Sequence, residues 1–272
     1  MWDMVWIALV ALGPELARAD GAGVAEFLGP RGCVIGPGTA EAALAIGIGS
    51  GDLKDFAARA AALPGSVVTG PWLVVARDLC RISFPAIKSE LSLEDAEVRA
   101  NLSAMDAFAD QGQPGCFLNG DGLRRGLQVS RGWDEERAWT AYLALVGAGL
   151  QSGELAFHLD DALRAPIGPV LTTGTCGQAA GMAVIRADHA TLMANLDGVI
   201  RLSLDNLACE EGAALLTLDA QAVGAMATGG GYRNEWGWME VLMMAMALGW
   251  YEGASLTRKG MPRPPLCHLP GE

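Results

Sequence analysis

The sequence predicts a helix-rich α+β protein built from three tandem small modules. Each module is expected to hold two helices plus a β-hairpin, in a winged-helix-like outline, and to be tied by one disulfide. Three observations lead there. Six cysteines, Cys33, Cys80, Cys116, Cys176, Cys209 and Cys267, open and close three successive segments. The tripeptide Ala-Asn-Leu stands ahead of two opening cysteines, at Ala100-Asn101-Leu102 and Ala194-Asn195-Leu196, in a chain with only five Asn. Each segment also carries one apolar stripe at helical spacing, with a glycine soon after it. The expected layout is a leader at 1–19, a first module at 20–91, a linker helix and second module at 92–187, and a linker helix and third module at 188–272.

The leader is read from Met4 to Leu12, an apolar run that Gly13-Pro14 ends and Ala17-Arg18-Ala19 follows, with small residues where a signal peptidase reads. Nine residues rise about 14 Å as a helix, too little to span a bilayer. The leading Met1-Trp2-Asp3 lacks the usual base, so an amphipathic first helix of the folded domain is the competing reading. Cleavage after Ala19 would leave a mature chain with no membrane span.

In the first module, Thr39 to Ile46 reads as a short helix, and Leu53, Phe56, Ala60 and Leu63 as the stripe of a longer one, with Asp52 placed to cap it. Ser66 to Thr69, the turn Gly70-Pro71 and Trp72 to Val75 read as a hairpin. Ser92-x-x-Asp95 has the form of a capping box opening a linker helix over Leu93 to Ala107. In the second module Asp134 is placed to cap a helix carrying Trp139, Tyr142, Leu143, Val146 and Leu150, and Leu155, Phe157 and Leu159 alternate as a strand. Asp188 to Leu204 is the counterpart linker helix. The third module has a short helix at Asp219 to Met226 and a stripe at Trp238, Val241, Leu242, Ala245 and Leu248. Trp236 to Tyr251 is strongly apolar, but it holds Glu240 and is short for a membrane span, so it reads as a buried helix.

Phe56 and Trp139 lie at the same offset from Cys33 and Cys116. The even, widely spaced cysteines contain no Cys-x-x-Cys, which fits structural disulfides in an oxidising compartment, periplasmic or secreted, rather than zinc or redox chemistry. Spacing alone leaves crossed pairings open, whereas the repeat favours sequential ones. A bridge closing such a loop contributes on the order of 4 kcal/mol, comparable to the whole stability of so small a unit.

Function is far less legible. With 31 acidic against 19 basic side chains and a net charge of −12, the chain is a poor partner for nucleic acid. Arg124, Arg125, Arg131 and Arg137 interleave with Asp121, Asp134, Glu135 and Glu136 and read as a solvated mixed-charge face. No catalytic motif, metal-ligand spacing or cofactor cradle stands out, and His158, His189 and His268 have no ligand-spaced partner. Trp133, Trp139, Trp236 and Trp238 are the candidate binding residues, against core packing as the plainer reading. The expected function is non-catalytic: an exported structural or interaction protein whose partner is another protein or a polymer of the envelope. The competing reading is an extracytoplasmic hydrolase assembled across modules, with His158 and Asp160 or Asp161 as first suspects.

Overall fold

The structure, a computed structural model, describes residues 21–102, 115–158, 168–179, 181–202 and 237–248. The first cysteine-bounded segment contains β1 (Val34–Ile35), α2 (Thr39–Ala45), α3 (Ser50–Ala61), β2 (Val67–Thr69) and β3 (Trp72–Val74), with α1 (Gly21–Leu28) before it. A short α4 (Ala96–Arg99) precedes the second segment, which contains α5 (Gly120–Arg131), α6 (Glu135–Ser152), β4 (Leu155–His158) and β5 (Gly168–Leu171). Then come α7 (Met182–Ala194), α8 (Leu196–Leu202) and α9 (Gly237–Ala247). The fold is a helix-rich α+β arrangement with small sheets and two disulfides.

The disulfides are Cys33–Cys80 and Cys116–Cys176, each with Cα atoms 5.7 Å apart. Cys209 and Cys267 lie outside the described residues. Around both bridges the backbone makes the same pattern. In the first segment the residue after the opening cysteine, Val34, pairs with Val74, and Val74 pairs on its other side with Val67, giving the antiparallel order β1-β3-β2. In the second, Phe117 pairs with Val170, and Val170 pairs with Ala156. Val74 and Val170 each stand six residues before the closing cysteine. The Val75 N–H donates to the Cys33 carbonyl, and the Leu171 N–H to the Cys116 carbonyl, both at 2.9 Å. Both segments thus place their strand pairing at the same count from their cysteines, and a one-residue slip in either would turn its strand side chains to the other face.

Equivalent sheet faces are covered by different means. Val34, Val74, Val67 and Trp72 form a small apolar cluster, with the Trp72 ring lying on Gly36 so closely that a Cβ there would have no room. Phe117, Ala156 and Val170, at the matching positions, are covered by Met182 and Ile185 of α7. The other faces meet in one continuous core that includes Val24, Phe56, Leu123, Val146, Leu155, Ile200 and Met244. That core crosses the expected boundaries at 91/92 and 187/188. α6 lies across α9, and Gly147 permits the approach: a Cβ on it would sit 2.6 Å from the Cβ of Ala247. The two stripe helices therefore pack on each other. The Met residues of α9 serve as core filling, with Met243 and Met244 buried and Met239 and Met246 partly so.

Several local expectations need correction. The capping box at Ser92 closes a turn, not a long helix. The Ser92 N–H donates to Asp95 Oδ2 and the Glu94 N–H to Ser92 Oγ, both at 3.2 Å, and α4 spans only Ala96–Arg99. It ends because Leu102 pairs with Leu118 as an isolated bridge, which takes the backbone out of helical geometry. The counterpart linker is two helices, α7 and α8, broken at Asn195. The repeated tripeptide explains both interruptions. The Asn101 side chain donates to the Glu97 carbonyl at 2.8 Å, and the Asn195 side chain to the Thr191 carbonyl at 2.9 Å, four residues back in each case. An amide that captures the carbonyl of a finishing turn competes with the helix and helps to end it. Asp52 does not cap α3, whose first flanking residue is Gly49; it stands instead within the first turn, where an acid complements the helix dipole. Asp134 caps α6 as expected, accepting the Arg137 N–H at 2.7 Å. Among the described residues, no helix is long and apolar enough to cross a membrane.

Candidate functional site

The α5–α6 corner brings together two of the four candidate tryptophans. α5 ends at Gly132, whose φ of 64° turns the chain back on itself. Trp133 follows directly, and Trp139 stands one turn into α6. Both indoles are half-buried against the core, and guanidinium groups lie over them. Arg137 sits 4.3 Å and Arg131 5.2 Å from the Trp133 ring centre, and Arg124 lies 4.9 Å from that of Trp139. Trp139 also stacks on Tyr142 at 5.7 Å, and burial pushes the Tyr142 phenol up to about 12.

Acids from outside the corner hold Arg131 and Arg137 in place, and an acid of α5 itself holds Arg124. Arg131 Nε donates to Glu97 Oε1 at 2.8 Å and its Nη2 reaches Asp95 at 3.3 Å. The Arg131 hydrogen bond, helped by the Glu97 backbone and the Ser130 hydroxyl, holds the Glu97 carboxyl down at about 2. Arg137 pairs with Glu90 at 3.2 Å, while Arg124 pairs with Asp121. The mixed-charge face read from sequence therefore has a different wiring. Arg124 pairs with Asp121, a neighbour named there, and Asp134 serves as a helix cap. The pairing of Glu90, Asp95 and Glu97 with these arginines gives no signal in the sequence, because they lie more than thirty residues apart. Beside Arg137 a shallow depression of about 520 Å³ opens between Lys88, Glu90, Thr140 and Ala144. Indole rings under guanidinium groups, ringed by acids, suit polar and aromatic contact with a partner.

Trp238 lies in the first turn of α9, and Trp236 lies outside the described residues. His158 closes β4 opposite Gly168, while Asp160, Asp161 and His268 also lie outside the described residues.

The third histidine proves to be the informative one. His189 of α7 meets Glu240 of α9, Nδ1 to Oε2, at 2.6 Å, and Glu240 is fully buried. The other carboxylate oxygen accepts the Phe157 N–H at 2.8 Å. Burial by itself would lower the His189 pKa, but the hydrogen bond and charge of Glu240 and the Leu150 carbonyl outweigh it, so the value is raised. With a buried carboxylate 2.6 Å from Nδ1, His189 is engaged in an internal pair. It lines neither this depression nor a second one of about 300 Å³ beside Phe84 and Gln151. Among the described residues no group of three His, Cys, Asp or Glu could hold a metal ion. Compared with known protein families, with curated proteins and with solved structures, the chain shows no match.

Proposed function

We propose that this chain is an exported, non-catalytic binding or structural protein of the cell envelope, periplasmic or secreted, built from three disulfide-stapled repeats. The observation that supports the reading is the common strand register around Cys33–Cys80 and Cys116–Cys176. We expect a third copy between Cys209 and Cys267, closed by a bridge between those two cysteines. Disulfides of this kind persist in oxidising compartments. The partner, a protein or polymer of the envelope, meets the face that carries Trp133 and Trp139, because aromatic and Arg side chains dominate the energetics of such contacts.

Two measurements test this. A non-reducing peptide map of exported protein is expected to begin at Asp20, to link Cys209 to Cys267, and to give a mass lower by six hydrogens than the fully reduced chain. Six free thiols would end the reading. Co-sedimentation with isolated envelope polymer is expected to weaken about tenfold in Trp133→Ala, as for a residue at the centre of an interface. Turnover in a hydrolase panel that His158→Ala abolishes would decide for the catalytic alternative.

A further inference from the structure

Glu240 is the one acid or base in α9, and its place in the core ties four elements together. It accepts from Phe157 of β4 and faces His189 of α7, and the Leu150 backbone acceptor, in the last turn of α6, also favours the protonated imidazole. Gly153 stands against that end of the ring, where a Cβ would lie 3.7 Å from Nε2. Two acceptors thus address two ring nitrogens. A neutral imidazole carries one N–H and can satisfy only one of them, whereas the imidazolium satisfies both. The C-terminal end of α6 also favours a cation there. The geometry points to a proton-dependent latch: the proton shared between His189, Glu240 and Leu150 holds α9 against α6, β4 and α7, and its loss loosens α9.

The surrounding charges leave Glu240 as the acid bonded to the ring. On α7, Arg186 donates to the Thr172 carbonyl at 3.0 Å, and Asp188 is buried next to His189 in the chain. At the α6–β4 turn Glu154 accepts from the Ser152 hydroxyl, and on α8 Asp197 and Arg201 bond each other. β4 contributes His158, and α9 nothing beyond Glu240. The direction of the effect follows from linkage. The folded-state pKa of His189 lies above its ordinary 6.5, so the latch contributes in full below about pH 6.5 and weakens as pH rises through the folded value.

Nitrogen-15 spectra of the imidazole in the intact protein are expected to show the doubly protonated ring persisting above its ordinary titration point of about pH 6.5. Hydrogen exchange of the α9 amides, corrected for intrinsic chemistry, is expected to show opening that increases with pH. The full increase is about tenfold for each unit by which the pKa is raised. Glu240→Gln should flatten that profile, because a side-chain amide can donate to a neutral imidazole while its carbonyl keeps the Phe157 N–H. A ring that loses its proton at or below about pH 6.5, or an unchanged profile in Glu240→Gln, would overturn the latch. If that variant does not fold, the spectrum of the unsubstituted protein decides alone.

Discussion

Replacing Asp197 with Ala is expected to lower the unfolding free energy by about 3–5 kcal/mol, the usual loss when one partner of a buried ion pair is removed. Asp197 is 5% exposed and accepts three donors: the Ile82 N–H at 2.6 Å, Arg201 Nε at 3.0 Å and Arg77 Nε at 3.2 Å. Arg201 in turn donates to the carbonyls of Val75 at 3.1 Å and Cys80 at 2.9 Å. The carboxylate therefore fastens α8 to the end of the first cysteine-bounded segment. Without it the Ile82 N–H is buried with no acceptor, and Arg201, whose side chain is 14% exposed, keeps its charge without a counter-charge. Asp197→Asn retains an acceptor for Ile82 and should lose less. Arg77→Ala should lose under about 1 kcal/mol, since that side chain is 48% exposed and solvent screens the pair. Denaturant midpoints of the three variants give the order directly, and an Arg77→Ala loss as large as that of Asp197→Ala would refute it.

Removing the second disulfide, with Cys116→Ala and Cys176→Ala together, is expected to cost about 2–5 kcal/mol. The bridge closes a long loop, so the chain-entropy contribution is near the upper part of the range for single bridges. Both cysteines are buried, at 0% and 4% exposure, so Ala avoids burying the hydroxyls that Ser would bring. The Cys33→Ala, Cys80→Ala pair should lose a similar amount, because its bridge occupies the same place relative to its own hairpin. Equilibrium denaturation of the two double variants checks both expectations. A loss below about 1 kcal/mol in each would mean that the shared core, not the staples, holds the two segments.

What could be read without coordinates was local or periodic. The stripe from Tyr142 to Leu150 faces the core as a helix of 3.6-residue period must. The hairpin at Gly70-Pro71 forms because glycine there, at a φ of 54°, turns the chain between β2 and β3. Asp134 caps because a side-chain oxygen of that reach satisfies an amide in the first turn. The linker helices were misjudged for an equally local reason: Asn101 and Asn195 looked like markers of repetition, and each proves to help finish a helix.

The candidate site was half legible. Trp133 and Trp139 stood out by composition, while their surroundings did not. Glu97 reaches Arg131 and Glu90 reaches Arg137 across separations that carry no periodic signal. His189 and Glu240 are 51 residues apart, and neither had a neighbour in sequence to suggest the other.

The amino-acid order by itself favoured the cysteine pairs 33–80 and 116–176, which the structure shows joined, and it marked the stripe helices and the main hairpin, because those depend on contacts within a turn or on a periodic spacing. Tertiary structure alone decided which charges meet, that one core runs through both segments, and that α9 meets α7 through the buried His189–Glu240 pair. Those outcomes depend on which surfaces the folded chain removes from water, and burial makes an ion pair strong or costly in a way no linear spacing records.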